Sequence, residues 1–208
     1  MNAEAEIRKV QRQCLDWVVG HFPGVSLERR AEEFVSLFEE FIPPNAQILD
    51  IGGGWGFYVE PLERVRNCKV TVLDVVEPAF HKAPVLTYAG EKMPFPDKSF
   101  DVSLLVTMLH HVRFPEKLLA EAKRVTRRFV IVVEDLYRHT AGRAWTILRD
   151  TFFNFEFVGH PREFRRREEW LECFSRLGLK KEFEKEIYTF LLGFRILNGI
   201  FVLSPNHE

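Results

Sequence analysis

The stretch Gln47-Ile48-Leu49-Asp50-Ile51-Gly52-Gly53-Gly54-Trp55-Gly56 constrains this chain more than any other. A short apolar run carrying an acidic residue breaks into a cluster of glycines, and Phe57 to Val65 then reads as a helix. A strand feeding a glycine turn feeding a helix N-terminus is how α/β proteins hold nucleotide-like ligands. Glycine serves there because it reaches φ > 0 and because its missing side chain lets the backbone approach the ligand. A dinucleotide fingerprint needs G-x-G-x-x-G, whose third glycine allows close helix–strand packing. Phe57 occupies that third place, and the glycines instead run Gly52-x-Gly54-x-Gly56 behind Asp50.

The 208 residues suit one domain with a modest appendage. A chain of this length buries roughly 70% of its unfolded surface, so no disulfide or metal staple is needed. A formal net charge of -1 gives no electrostatic case for nucleic acid or an anionic membrane. Cys14, Cys68 and Cys173 are scattered and odd in number, which reads as reduced thiols in a cytoplasmic protein. The acidic start, Met1 to Glu6, is unlike a signal peptide. Phe190–Leu203, the most apolar late stretch, is too short and interrupted to span a bilayer.

Before residue 43 the pattern predicts two helices. The first carries Ile7, Val10, Cys14, Trp17 and Val18 as its apolar stripe, with Gly20 as a stop. The second starts after Ser26 as N-cap, presents Phe34, Val35, Phe38 and Phe41, and ends at Pro43-Pro44. Strands follow at Gln47–Ile51, Lys69–Leu73, Pro84–Tyr88, Val102–Val106 and Arg128–Asp135, with a helix over Glu116–Val125. Asp74, about twenty positions after the glycine turn, stands at the end of the second strand. A carboxylate there accepts the two hydroxyls of a ribose, whichever nucleoside is bound. Further helices are expected over Trp145–Asp150 and Glu168–Leu177, and two closing strands around Lys181–Phe190 and Leu197–Leu203. The domain reading is a helical extension over 1–43 and a core over 44–208, with a helical and aromatic insertion at about 137–178.

Three motifs then stand in a telling order: Met93-Pro94-Phe95, Ser99-Phe100-Asp101-Val102 and Leu109-His110-His111. With the glycine turn and Asp74, they make the chain resemble the small-molecule branch of the class I S-adenosylmethionine (SAM) dependent methyltransferases. The resemblance implies a Rossmann-like α/β fold. Its seven-stranded, mostly parallel sheet has helices on both faces, and the final hairpin makes one strand antiparallel. The N-terminal helices are then an addition that either closes over the ligand or only covers a sheet face. The family's usual Gly-Gly pair before the fifth strand is replaced by Thr126-Arg127-Arg128.

The resemblance also implies a cofactor site. Gly52, Gly53, Gly54 and Gly56 would lie against the methionine and ribose portion of SAM, Asp50 on its amino-group side and Asp74 on the ribose. Val75 and Met93 would enclose the adenine, whose edge would meet the backbone of Glu91 and Lys92. Relatives often place an Asp before the "LPF" element; Ala89 stands there, leaving Glu91 as a substitute. Val106 and Thr107 would offer carbonyls to the methionine ammonium, with His111 close by.

Methyl transfer is an in-line displacement from a sulfonium that is already activated. Alignment therefore does most of the work, and a base is needed only for an acceptor that holds its proton. The family has no fixed catalytic residue, and the catalytic group here is unassigned. His110 and His111 are the foremost base candidates, since a free imidazole titrates near neutrality. Glu134, Asp135 and His139 follow the fifth strand, where the acceptor should lie. A metal site is not expected, because adjacent histidines point apart and no chelating spacing is present. Phe152, Phe153, Phe155 and Phe157 either line an acceptor pocket or fill the core. His160-Pro161-Arg162 precedes Arg165-Arg166-Arg167, which Glu168 and Glu169 answer as a self-paired helix start.

The resulting expectation is methyl transfer from SAM, yielding S-adenosylhomocysteine, to O, N or C of a small-molecule acceptor. RNA or protein methylation, and a non-catalytic SAM-fold module, are the alternatives. The nucleobase-amine branch is disfavoured because the fourth strand ends in Val-Thr-Met-Leu, without Asn/Asp-Pro-Pro-aromatic. An NAD-dependent oxidoreductase is the remaining contender.

Overall fold

A computed structural model describes residues 3–21, 25–154, 161–191 and 193–206. The element order is α1 (Ala3–His21), α2 (Val25–Phe38), β1 (Gln47–Ile51), α3 (Val59–Arg66), β2 (Lys69–Asp74), β3 (Val85–Thr87), β4 (Phe100–Val106), α4 (Pro115–Val125), β5 (Thr126–Asp135), α5 (Thr140–Phe153), α6 (Arg167–Arg176), β6 (Leu179–Leu191) and β7 (Phe194–Pro205). The seven strands form one sheet in the order β3-β2-β1-β4-β5-β7-β6. Pairing is parallel from β3 through β5, while β7 runs antiparallel to both β5 and β6. This is the expected α/β sheet, with the direction reversed at the last strand.

Alternation along each strand sends successive side chains to opposite faces. On one face Leu49, Ile51, Leu105, Val130 and Val132 pack under α4 and α6, with Leu119, Trp170 and Phe174 fully buried. On the other, Ile48, Leu104, Val106, Ile131 and Val133 pack under α2 and α3, with Phe34 and Phe38 buried. The same alternation splits the polar pair at the end of β5. Glu134 and Asp135 are both buried, yet they meet different partners.

The segment between α4 and β5 explains the missing glycines. Val125 ends the helix and Thr126 begins the strand with no turn between them. Thr126 Oγ1 donates to Ala122 O at 2.5 Å and lies 2.6 Å from Ser103 Oγ, so a threonine hydroxyl ties the junction to β4.

Two local expectations are corrected. Helix α2 begins at Val25, so Ser26 sits in its first turn rather than before it. On α1, Ile7, Val10 and Trp17 are 45%, 56% and 56% exposed, and the buried apolar residues are Leu15 and Val19. Periodicity shows that a helix is amphipathic but not which face docks. Here docking follows Asp16, which accepts from Trp55 Nε1 at 3.0 Å and Ala79 N at 2.9 Å. Arg12 pairs with that carboxylate at 3.2 Å.

The Met93-Pro94-Phe95 loop is held from below by α4. Arg124 Nη1 donates to Phe95 O at 2.9 Å and Asp97 at 2.8 Å, while Nη2 donates to Met93 O at 3.2 Å. Glu121 binds Arg124 through both oxygens and accepts from Met93 N at 2.9 Å. Arg124→Ala leaves two carbonyls and two carboxylates without this donor. It should cost about 1–3 kcal/mol in chemical denaturation and speed hydrogen exchange at the Met93 and Phe95 amides more than in β4. Unchanged exchange there would show that the loop is held by its prolines instead.

Candidate functional site

The parallel register of β1 and β2 aligns Ile51 with Leu73, so both strands end at the same level. Gly52 N donates across to Leu73 O at 2.7 Å, and the chain then turns with φ of +69° at Gly52 and +49° at Gly54. A side chain at either glycine would be strained whatever space surrounds it. Gly54 N donates to Asp74 Oδ2 at 3.0 Å, and Asp74 Oδ1 accepts from Val75 N at 2.7 Å and Val76 N at 3.3 Å. The Asp74 carboxylate therefore faces the glycine turn.

Gly53 is needed for another reason. A Cβ there would fall 2.3 Å from Asp50 Oδ2 and 2.9 Å from a Val72 methyl. Asp50 is 1% exposed, and its Oδ2 has no hydrogen-bond partner. Burial, with a smaller contribution from the Asp74 charge, lifts the Asp50 pKa from 3.8 to about 7.

These residues open onto one cavity of about 1220 Å³. That exceeds the roughly 300–1,000 Å³ of an ordinary ligand pocket, enough for two small molecules side by side. Asp50, Gly52, Gly53, Gly54, Asp74, Val75, Glu91, Lys92, Val106, Thr107 and His111 all line it. Two residues expected there do not. Gly56 packs against Ala83, and Met93 is 1% exposed inside the core under α4. The loop bond to Glu121 turns the Met93 side chain inward, leaving Val75, 55% exposed, at the cavity edge.

The opposite wall comes from elements that the spacing of motifs does not connect. Helix α1 brings Gln11 and Arg12, α2 brings Leu27 and Arg30, and α5 brings Arg149, Asp150 and Phe153. Helix α2 thus both covers the sheet and walls the cavity, while α1 packs on α2 and walls the cavity. Asp135 joins these parts: it pairs with Arg149, accepts from Arg30 Nη2 at 3.4 Å, and accepts from Asn198 Nδ2 at 2.7 Å. Thr189 in turn donates to Asn198 Oδ1 at 2.6 Å. Arg30, Arg149 and Asn198 carried no signal in the sequence beyond charged or polar residues inside apolar segments.

The candidate acids and bases separate clearly. His139 accepts from Gly142 N at 2.9 Å as the cap of α5 and does not face the cavity. Glu134 is wholly buried behind the wall, accepting from Leu109 N at 2.7 Å and lying 2.6 Å from His110 Nδ1. His110 and His111 both line the cavity. Burial opposes a charged imidazole at His110, but Glu134 and Asp150 outweigh it and hold the pKa up at about 10. These two carboxylates favour the charged imidazole, which makes His110 a poor base.

The expectation that these neighbouring histidines point apart is also corrected. Leu109–His111 is a turn of 3₁₀ helix rather than strand, so successive side chains do not alternate. The two rings lie 4.2 Å apart. Donor atoms of His110, His111 and Asp150 all come within 4.8 Å of one another.

Of the aromatic run, Phe153 lines the cavity, and Phe152 is 58% exposed; neither is core. Phe155, Phe157 and His160 lie outside the described residues. The arginine run is answered by carboxylates from other elements as well as its own. Arg165 pairs with Glu116 at 2.6 Å, Arg167 with Glu184, and Arg166 with Glu169 at 3.5 Å. Cys14, Cys68 and Cys173 are all free thiols. No helix among the described residues is long and apolar enough to cross a membrane.

A family model described as a methyltransferase domain matches residues 49–133, from the first strand to the fifth. A solved SAM-dependent methyltransferase from Aquifex aeolicus superposes over 98% of this chain and all of its own, with a TM-score of 0.60 at 18% identity. The chain thus has the class I methyltransferase fold, and its segment 49–133 matches the methyltransferase-domain model. Among curated proteins, sarcosine/dimethylglycine N-methyltransferase of Halorhodospira halochloris is 28% identical over 118 residues, half of this chain. An uncharacterized Methanocaldococcus jannaschii protein is 34% identical over 90 residues, 41% of this chain. The matched part spans 42% of the length of each of these curated relatives.

The buried acid under the glycine turn gives a pH test. Because the folded state raises the Asp50 pKa, the stability this group contributes is full below pH 3.8 and lost as pH rises through about 7. Asp50→Asn should therefore raise the melting temperature at pH 8, where the native carboxylate is ionised and buried. The gain should shrink toward pH 5. An equal effect at both pH values would place the Asp50 proton elsewhere.

Proposed function

We propose that the chain transfers the methyl group of SAM to a small-molecule acceptor. The observation carrying this reading is the Asp74 carboxylate turned onto Gly54 N at 3.0 Å at the edge of the large cavity. A ribose diol would lie against the outer side of that carboxylate and the turn, where a Cβ on Gly54 would meet nothing closer than Asp74 Oδ2 at 3.8 Å. The unpartnered Asp50 oxygen suits the cationic methionine end of the same molecule. When bound, SAM supplies an activated methyl on a sulfonium whose bond electrons return to sulfur as the methyl leaves.

The protein's own residues then bind and align. Gly52–Gly54 would hold the cofactor along the turn, Val75 and the Glu91–Lys92 segment would flank its adenine, and Val106 and Thr107 would meet its amino end. His111 stands toward the acceptor. The wall built by Arg30, Arg149, Asp150 and Phe153 presents both charged and aromatic groups to the cavity. A walled cavity of this kind favours a small polar acceptor over a polymer. The N-methylation of sarcosine and dimethylglycine named for the Halorhodospira relative points to the same acceptor size.

Calorimetry with SAM and S-adenosylhomocysteine should give stoichiometric binding. Gly54→Val and Asp74→Ala should each weaken it by roughly 10-fold or more, at least about 1.4 kcal/mol, with circular dichroism unchanged. Full affinity in both variants would refute the site. Incubating the protein with labelled SAM and fractionated metabolite pools tests the acceptor class. Label entering RNA or protein alone would favour the macromolecular alternative. Binding without transfer to any acceptor would favour a non-catalytic module.

A further inference from the structure

We infer that His110, His111 and Asp150 form a binding site for one divalent transition-metal ion in the cavity wall. Three observations meet there. The three side chains each place a donor atom within 4.8 Å of the others, and all three line the cavity. They come from two separate elements, the turn after β4 and the last turn of α5, so sequence proximity alone does not produce the cluster.

The spacing suits such an ion. Metal bonds of about 2.1 Å at a tetrahedral angle put neighbouring donors roughly 3.4 Å apart, and His110 Nε2 lies 3.5 Å from Asp150 Oδ1. Two imidazoles and one carboxylate are the donor set of zinc, manganese, iron(II) or cobalt(II), rather than of calcium or magnesium. The remaining coordination positions would open into the cavity.

The groups behind the cluster are those a metal-binding histidine needs. Glu134 holds His110 Nδ1 at 2.6 Å, which directs Nε2 toward Asp150, and Leu109 N fixes Glu134 at 2.7 Å. Asn154 Nδ2 donates to Asp150 Oδ1 at 2.7 Å, orienting the carboxylate. A carboxylate behind a ligating imidazole and a donor on a ligating carboxylate set ring and oxygen direction before the ion arrives. The ion would replace the Nε2 proton of His110, which is released on binding, and Glu134 and Asp150 together offset the ion's double charge.

In the methyl-transfer reading, an ion there would hold an oxygen of the acceptor beside the cofactor. That consequence rests on the proposed function; the binding itself does not.

The test titrates chelator-stripped full-length protein with cobalt(II), followed by visible d–d absorption, and with zinc(II), followed by calorimetry. One ion per chain is expected. His111→Ala and Asp150→Asn should each weaken binding 10-fold or more, and Glu134→Gln should do so as a positioning change behind His110. His139→Ala, whose imidazole caps α5 outside the cavity, should bind like the native protein. His111 is only half-buried, so its variant is the one expected to keep the fold should the others lose it. No stoichiometric cobalt binding, or binding unchanged in His111→Ala and Asp150→Asn, overturns the site. SAM calorimetry on the stripped protein keeps the two proposals apart. SAM binding without cobalt binding sinks the metal site alone, and cobalt binding without SAM binding sinks the methyl-transfer reading alone.

Discussion

The parallel register between β1 and β2 is the constraint from which the site follows. Because Ile51 and Leu73 are paired, the chain leaves both strands at one level, and Gly54 N meets the Asp74 carboxylate across the gap. A one-residue slip would turn Asp74 to the other face of the sheet. The same register places Asp50 beneath Gly53 at a distance that tolerates no Cβ. Glycine at 53 and an acid at 50 are thus one packing decision rather than two separate motif positions. Burying that acid has a thermodynamic cost, which a cationic ligand at the open Oδ2 would offset.

The second constraint is the charge network at the end of β5. Strand alternation sends Glu134 to the His110 side and Asp135 to the side of Arg30 and Arg149. One strand end thereby holds both the turn after β4 and the three outer parts of the cavity wall: α2, α5 and the β6–β7 hairpin. Removing one partner from a buried ion pair typically costs several kcal/mol, because its mate is left charged without compensation. The network therefore makes the position of α2 and α5 a condition of folding.

The alternation of strands and helices was readable from the chain, while the seven-stranded order and the reversal at the last strand were implied by the family resemblance. Strands of this kind are apolar, short and bounded by turn residues, which are local properties. The glycine turn and Asp74 were readable too, since backbone geometry restricts which residues stand there. Met93 was not, because the motif that contains it says nothing of which way its side chain turns; Arg124 and Glu121 on α4 decide that. The buried face of α1 was misread for a similar reason. Its exposed Ile7, Val10 and Trp17 are as periodic as its buried Leu15 and Val19.

What the sequence determined by itself was the class of sheet, the turn that follows its first strand and the acid one strand over. Periodicity and glycine content act between neighbours in the chain, so these features need no knowledge of distant contacts. Only the tertiary structure decided who faces whom across the cavity. It closed His110 between Glu134 and Asp150, drew His111 to its side, and fastened Arg30 and Arg149 to Asp135. Those pairs join residues as far as 105 positions apart. Nothing local marks them, because their energy exists only once the sheet has brought its strand ends, α2 and α5 to one rim.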